Sequence, residues 1–504
     1  MGKIFRKILI ILTALLLHSP QGWAEDGWAD RTEIDWEVLN RFQLIKGSPE
    51  EKRYREDLGK IKGIIARRDK RYSGFTERLH DTYWDADEHT YDSFYLSPKR
   101  ERHLLFHAHL PGEVGKARCL WNVEGYDTPS SGVIDCTKAY LAHLPTGFHK
   151  VTVEVQPDHS ALPPFTKEKM IEVKDRVVVV LGDSYASGEG TPDRQHKRFA
   201  EVQWHDKRCH RSLFSGFNQA VFAMTGQDRH HATILLNFAC SGAEVEKGLL
   251  SPYAGVDPPE QAEPLPAQLY AAAALLCNGA YDRQTHTCSG EPRPADVVVL
   301  SAGGNDIGFA DTVKRLLLRS YTDEGCVERL IVPPGGFTER NERLLQSYAR
   351  LRKELQGQLA PRQVLVMEYP DPTHHQPDRF GEVGLLCRNR TVNTGLRIVA
   401  NILSMGHSDL TITPQENRCA FRDILTPLNE TVHSVSGTPD WRVVEAVAGW
   451  ESRGVCAPTT NYNWTEYAWE QLDGHGLYHP NMSGQWYYRD ALLPALRQAI
   501  AALP

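Results

Sequence analysis

The run "RVVVVLGDSYASGEG", from Arg176 to Gly190, constrains the fold more than any other stretch of the chain. Val177 to Leu181 are five consecutive apolar residues, which suits a short parallel strand buried on both faces rather than a strand with one wet face. Gly182 and the small residues that follow end the run in a turn. Further strands are expected at "HATILLNFACSGA", "ADVVVLSAGGNDIGF" and "RQVLVMEYPDP". Helical or mixed segments separate them, among them "TERNERLLQSYARLRKELQGQLA", so residues 175–504 read as an α/β domain. In open α/β sheets ligands gather outside the carboxyl ends of the strands, where short loops converge. That rule places Ser184, Gly242 and Asn305 near one another. The proline-rich "GLLSPYAGVDPPEQAEPLPAQL" reads as a surface loop that can wall or cover the cleft.

The chain ahead of this run has a different texture. Residues 96–174 carry short β-type runs between turns, such as "KARCLWNVEG" and "HKVTVEVQPD", which suggests a small immunoglobulin-like β-sandwich accessory domain. Trp121 is its expected core residue and a Cys119–Cys136 bridge its staple. Residues 25–95 are charged and helix-forming in composition, and they offer no chemistry. At the start, Lys3, Arg6 and Lys7 precede the apolar run Ile8 to Leu17, with Gly22 and Ala24 beyond it. This order fits a secretory signal in residues 1–24, cleaved after Ala24, and an exported protein, periplasmic or secreted.

Charge and cysteine usage narrow the classes further. A net charge of −7 over 504 residues gives no basic field and disfavours nucleic acid as a partner. The ten cysteines include no CxxC pair, so an oxidising compartment points to disulfides, with Cys119–Cys136 and Cys277–Cys288 nearest by spacing. The remaining connectivity stays open. His205 and His210 around "KRC", and His374 and His375 after "YPDP", lack metal-site spacing and read as structural or surface residues. Asn-x-Ser/Thr at Asn389, Asn429, Asn463 and Asn481 reads as incidental.

Ser184 follows Gly182 and Asp183 at a strand end, where its hydroxyl needs a nearby base to become a nucleophile. In "SAGGNDIGF", Gly303 and Gly304 allow close backbone approach and Asn305 can aim an amide donor at developing negative charge. Gly242 in "CSGA" can offer a backbone N–H that no side chain obstructs. Near the end, "DGHGLYHPNMSG" holds Asp473, His475 and His479 within a few turn residues.

Four blocks in order, "GDSYASGEG" at 182–190, "ACSGA" at 239–243, "GGND" at 303–306 and "HPNMSG" at 479–484, resemble the conserved blocks of the SGNH, or GDSL-type, hydrolase superfamily. With "KRCHRS" and "EYPDP" they look most like its secreted bacterial esterases and lipases. The resemblance covers residues 175–504 and implies a three-layer α/β/α domain with a parallel sheet. It also implies Ser184 as nucleophile and His479 as general base, with an oxyanion hole formed by the Ser184 and Gly242 N–H groups and the Asn305 side chain. The implied reaction is acyl transfer to water through an acyl-serine, without metal or organic cofactor. Asp183 and Asp306 read as scaffolding.

One position departs from the pattern. Many members carry an aspartate three residues before the catalytic histidine, to hold the imidazole and stabilise its cation. Here that residue is Gly476. A main-chain carbonyl, Asp473 or a remote acid remain as partners for His479 Nδ1, and His475 is the lesser candidate for the base itself. Expected substrates are acyl esters, whether lipids or acylated glycans, with peripheral contact to a membrane surface left open. The rival readings are a periplasmic carbohydrate O-acetyl esterase and an inactive exported binding protein; oligomeric state is not legible.

Overall fold

A computed structural model describes residues 26–39, 41, 84–85, 90–91, 102–124, 133–158, 162–193, 202–309, 312, 336–384, 387, 411–436, 438–446, 449–463 and 475–503. The expected signal in residues 1–24, residues 48–83 of the helix-forming stretch 48–84 and Asp473 lie outside the described residues. The chain divides into two compact units.

The first unit comprises residues 1–41, 98–175 and 229–232. After helix α1 (Asp26–Arg31), strand β1 (Glu33–Val38) lies in the segment whose composition suggested helix. Its residues alternate, and Ile34, Trp36 and Val38 turn inward while charged neighbours face out. That period of two outweighs the charged composition. Strand β1 pairs antiparallel with β2 (Arg102–His109), and β2 with β5 (Tyr140–Leu144). A second antiparallel group joins β4 (Ile134–Asp135), β3 (Ala117–Val123), β6 (Gly147–Pro157) and the first half of β7 (Phe165–Gly182). Alternate residues of both groups fill one core, where Trp121 lies against Phe106 and stacks on Tyr140 at 5.9 Å. The Cys119–Cys136 disulfide closes its edge, and the fully buried Arg102 is paired with Asp175.

The second unit comprises residues 42–97, 176–228 and 233–504. Its sheet is parallel where the sequence runs are uniformly apolar. The end of β7 pairs with β9 (Val297–Ser301), β9 with β10 (Gln363–Met367), and β10 with β11 (Trp441–Val444). Strand β8 (His231–Asn237) pairs with β7. Val177–Leu181, Val297–Leu300 and Val364–Met367 are fully buried, as strands covered on both faces require. Helices α3 (Gly216–Gln227), α4 (Gln268–Leu276), α5 (Phe337–Leu359) and α6 (Met482–Ala501) supply the cover. Within α5, Leu344, Tyr348, Leu351, Leu355 and Leu359 recur at helical spacing and turn inward, and Tyr348 Oη donates to the Ala302 carbonyl.

This is an α/β fold with several sheets. The parallel sheet expected of residues 175–504 is seen where β7 pairs with β9, β9 with β10 and β10 with β11, while the eight-stranded sheet taken whole is mixed. The reason lies in β7, which is 18 residues long. Its first half alternates in burial and pairs antiparallel with β6, whereas its last residues are buried on both faces and pair parallel with β9. One strand therefore serves two pairing modes. Among the described residues no helix is long and apolar enough to cross a membrane.

Candidate active site

Ser184 is the first residue of a one-turn helix, α2 (Ser184–Ser187), at the carboxyl end of β7. Asp183 caps that turn by accepting from the Tyr185 N–H at 3.0 Å, and its other partners are the hydroxyls of Tyr369 and Ser301. Burial raises the Asp183 carboxyl to about 6, against these hydrogen bonds, which pull it down. Tyr369 Oη also accepts from the Gly304 N–H at 3.0 Å, so one phenol joins the nucleophile turn to the "GGND" loop. The scaffolding role expected of Asp183 thus has an identifiable set of bonds. Asp306 likewise accepts from the Val245 N–H, and burial raises its carboxyl to about 7.

The Cys240–Ala243 turn lies beside the same strand end, with the Cys240 N–H donating to the Gly182 carbonyl. Gly242 has φ of 82°, a left-handed conformation that favours glycine, and a Cβ there would meet Tyr253 Oη at 2.4 Å. Tyr253, from the proline-rich segment, donates to the Ser241 carbonyl and so stands as a wall beside this turn. Asn305 Nδ2 donates to the Ala243 carbonyl at 2.9 Å. An amide has two N–H donors, and that bond engages one of them. The N–H groups of Ser184 and Gly242 donate to no carbonyl among the described residues. Three donors expected from the sequence are therefore carried on loops tied to one another by hydrogen bonds.

His479 reaches this place from almost the other end of the chain. Its Nε2 lies 2.8 Å from Ser184 Oγ, and its Nδ1 lies 3.1 Å from the Leu477 carbonyl. Gly476, at the customary acid position, instead uses its carbonyl to accept the His479 backbone N–H at 3.2 Å. A bridge between Tyr462 and Pro480 holds the turn, reinforced by Asn463 N–H to His479 O and Tyr478 N–H to Asn463 O. Asn481 then caps α6, accepting from Gly484 and donating to Thr460 and Tyr462. Asn463 and Asn481 are buried in these roles, which agrees with the incidental reading of their glycosylation motifs. Tyr185 packs against the imidazole at 5.4 Å and donates to the Tyr478 carbonyl. Burial pulls the His479 imidazole below its usual pKa, while the charge of Glu189 and the carbonyls of Leu477 and His475 act the other way.

The other histidines separate from the pair. His475 is exposed, with its ring edge-on to His210 at 5.8 Å. His374 is bound to Asp371 and packed on Phe380. Among the described residues no group of three His, Cys, Asp or Glu side chains is placed to hold a metal ion. The Cys277–Cys288 bridge is formed, as are Cys209–Cys240 and Cys387–Cys456, which span 31 and 69 residues.

One residue of the site went unremarked in the sequence. Glu189, inside the first block, is fully buried. Its carboxylate accepts from Ser241 Oγ at 2.6 Å and bonds to His210 Nδ1 at 2.9 Å. Burial would raise this carboxyl, but His210, His479 and Ser241 together hold it down at about 2. The signal available in advance was a charged residue between two glycines of a turn expected to pack tightly.

No protein-family model matches the chain. No curated protein matches it either. Among solved structures it is similar to an extracellular lipase from Streptomyces rimosus, at 18% identity and a TM-score of 0.39, over 64% of this chain and 99% of that one. A family-two carbohydrate esterase from Clostridium thermocellum is similar at 13% identity and a TM-score of 0.29, over 80% and 90%. An acetyl xylan esterase from Butyrivibrio proteoclasticus is similar at 10% identity and a TM-score of 0.29, over 80% and 88%. Likenesses this remote leave the geometry of the site to carry any functional reading.

The Asn305 donor has a measurable expectation. On the oxyanion role expected of it from the sequence, Asn305→Ala should lower kcat for a short-chain ester by about 10²- to 10³-fold with little change in KM, the usual cost of one such donor. Steady-state kinetics on the folded variant checks this, and equal losses in kcat and in binding would point to a loop collapse instead.

Proposed function

We propose that this chain is an exported serine ester hydrolase of the SGNH type. The observation that carries the reading is the 2.8 Å contact between Ser184 Oγ and His479 Nε2, two side chains 295 residues apart. His479 takes the Ser184 proton as Oγ attacks the ester carbonyl. The oxyanion is met by the Ser184 and Gly242 N–H groups and the free amide proton of Asn305. The imidazolium then protonates the leaving alkoxide, giving an acyl-serine and an alcohol. Water, deprotonated by His479, attacks that acyl group, and the carboxylic acid departs as Ser184 regains its proton. Every bond formed and broken is accounted for by these groups without a cofactor. The Leu477 carbonyl orients the ring in place of a triad acid.

Export is supported by the basic and apolar start of the sequence and by the cysteines, all of which are in disulfides among the described residues. Lipid and glycan esters both remain within the reading. In either reading Tyr253, bonded to the Ser241 carbonyl beside the Gly242 turn, walls the site. Two measurements test the proposal. A fluorophosphonate should label wild type at Ser184; a protein that resists labelling yet retains ligand binding is an inactive binding protein, and the proposal falls. A panel of p-nitrophenyl esters from acetyl to palmitoyl, with acetylated xylan beside it, separates the substrate classes. Acetate release from xylan with little long-chain activity assigns the glycan class, and activity confined to long or aggregated acyl chains assigns the lipid class.

A further inference from the structure

A serine–histidine pair oriented by a carbonyl has a weakness that the site must answer. The carbonyl fixes the tautomer, but it supplies no full charge to the imidazolium that forms as Ser184 attacks. The buried carboxylate of Glu189 stands where it can. Its backbone N–H donates to the Ser184 carbonyl at 3.0 Å, which places it directly behind the nucleophile turn. The next residue, Gly190, runs so close beneath the base that a Cβ there would lie 3.2 Å from His479 Cβ. In front, the same carboxylate holds Ser241, the neighbour of Gly242, and His210, the neighbour of Cys209. The Cys209–Cys240 disulfide and the Ser241 N–H to Cys209 O bond close the ring of contacts. Trp204 stacks on His210 at 4.4 Å, fixing the partner imidazole.

Stability alone is a weak reason for this arrangement. Replacing a buried ion pair with well-packed apolar residues is often neutral or stabilising, since desolvation offsets most of the attraction. We infer that Glu189 is a positioning residue for the reaction: its carboxylate locks the oxyanion turn against the nucleophile and supplies the negative charge felt by the His479 imidazolium. Among the described residues, Ser184 and Tyr185 lie against His479, which also feels the charges of Glu189 and His475, while Glu189 is bonded to His210 and Ser241 and its charge reaches His479 and Tyr253. Of these described groups, Glu189 is the carboxylate. It takes the part of the acid that Gly476 lacks, although it acts through space rather than through a bond to Nδ1. The inference rests on Ser184 and His479 as the reacting pair.

The test is the pH profile of kcat/KM for p-nitrophenyl acetate, measured on wild type, Glu189→Gln and Glu189→Asp, with thermal melting of each. Glu189→Gln keeps the shape and one acceptor oxygen but removes the charge. It should lower kcat about 30-fold and move the acid limb, which reports protonation of His479, to lower pH by about half a unit or more. Glu189→Asp keeps the charge and loses reach; its activity should fall while the acid limb stays near wild type. A melt-competent Glu189→Gln whose acid limb stays in place overturns the inference. If Glu189→Gln does not fold, the aspartate variant decides, and an acid limb displaced despite the retained charge is the overturning result. Wild-type protein with no esterase activity is a different outcome, which removes the reading of Ser184 and His479 beneath it.

Discussion

Ser184→Ala should lower kcat for a short-chain p-nitrophenyl ester by about 10⁵- to 10⁶-fold, leaving KM nearly unchanged. The size follows from what the hydroxyl does. Without Oγ no acyl-enzyme forms, and water must attack the bound ester directly with only the oxyanion donors to help it, a residual worth about 10³–10⁴ over solution. The substitution should not disturb the fold, because Ser184 Oγ has its hydrogen bond to His479 and the α2 turn is held by Asp183 and the Glu189 backbone. Burst kinetics should vanish with turnover, and the fluorophosphonate adduct should be absent. Turnover within tenfold of wild type would place the nucleophile elsewhere.

The strands that position Ser184 were legible because fully buried parallel strands leave an unbroken apolar run, as at Val177–Leu181 and Val297–Leu300. Shorter or mixed strands were not. Trp441–Val444 contains Arg442 and spans four residues, so no periodicity separates it from a loop. The domain boundary expected at 174/175 falls inside β7, because its alternating and uniform halves carry different patterns. Disulfides showed the same limit: the bridges spanning 17 and 11 residues are suggested by spacing, whereas Cys209–Cys240 and Cys387–Cys456 depend on tertiary approach. In the site, side chains with distinctive chemistry, Ser184 and His479, could be picked out. The Leu477 carbonyl could be anticipated only as a class of partner, since every residue has one. Glu189 was hidden for another reason. Sequence does not report burial, and its partner His210 had suggested only a metal site that the spacing did not support.

The partner of His479 Nδ1 leads to the second large effect. His479→Ala should cost about 10⁵- to 10⁶-fold in kcat, and the double variant with Ser184→Ala should be no worse than either single one, because the two side chains act as one unit. Asp473→Asn should stay within about threefold of wild type, since the Leu477 carbonyl already accepts from Nδ1 at 3.1 Å. A drop near a thousandfold there would instead assign Asp473 the part of a triad acid. The pH profile follows from the same geometry. The base must be neutral to accept the Ser184 proton, and burial draws its pKa below the ordinary 6.5. The acid limb of kcat/KM should therefore have its midpoint below pH 6.5, falling about tenfold per pH unit beneath it. A midpoint clearly above 6.5 would require a carboxylate in direct contact with Nδ1, because only a full charge at hydrogen-bond distance outweighs the burial of this imidazole.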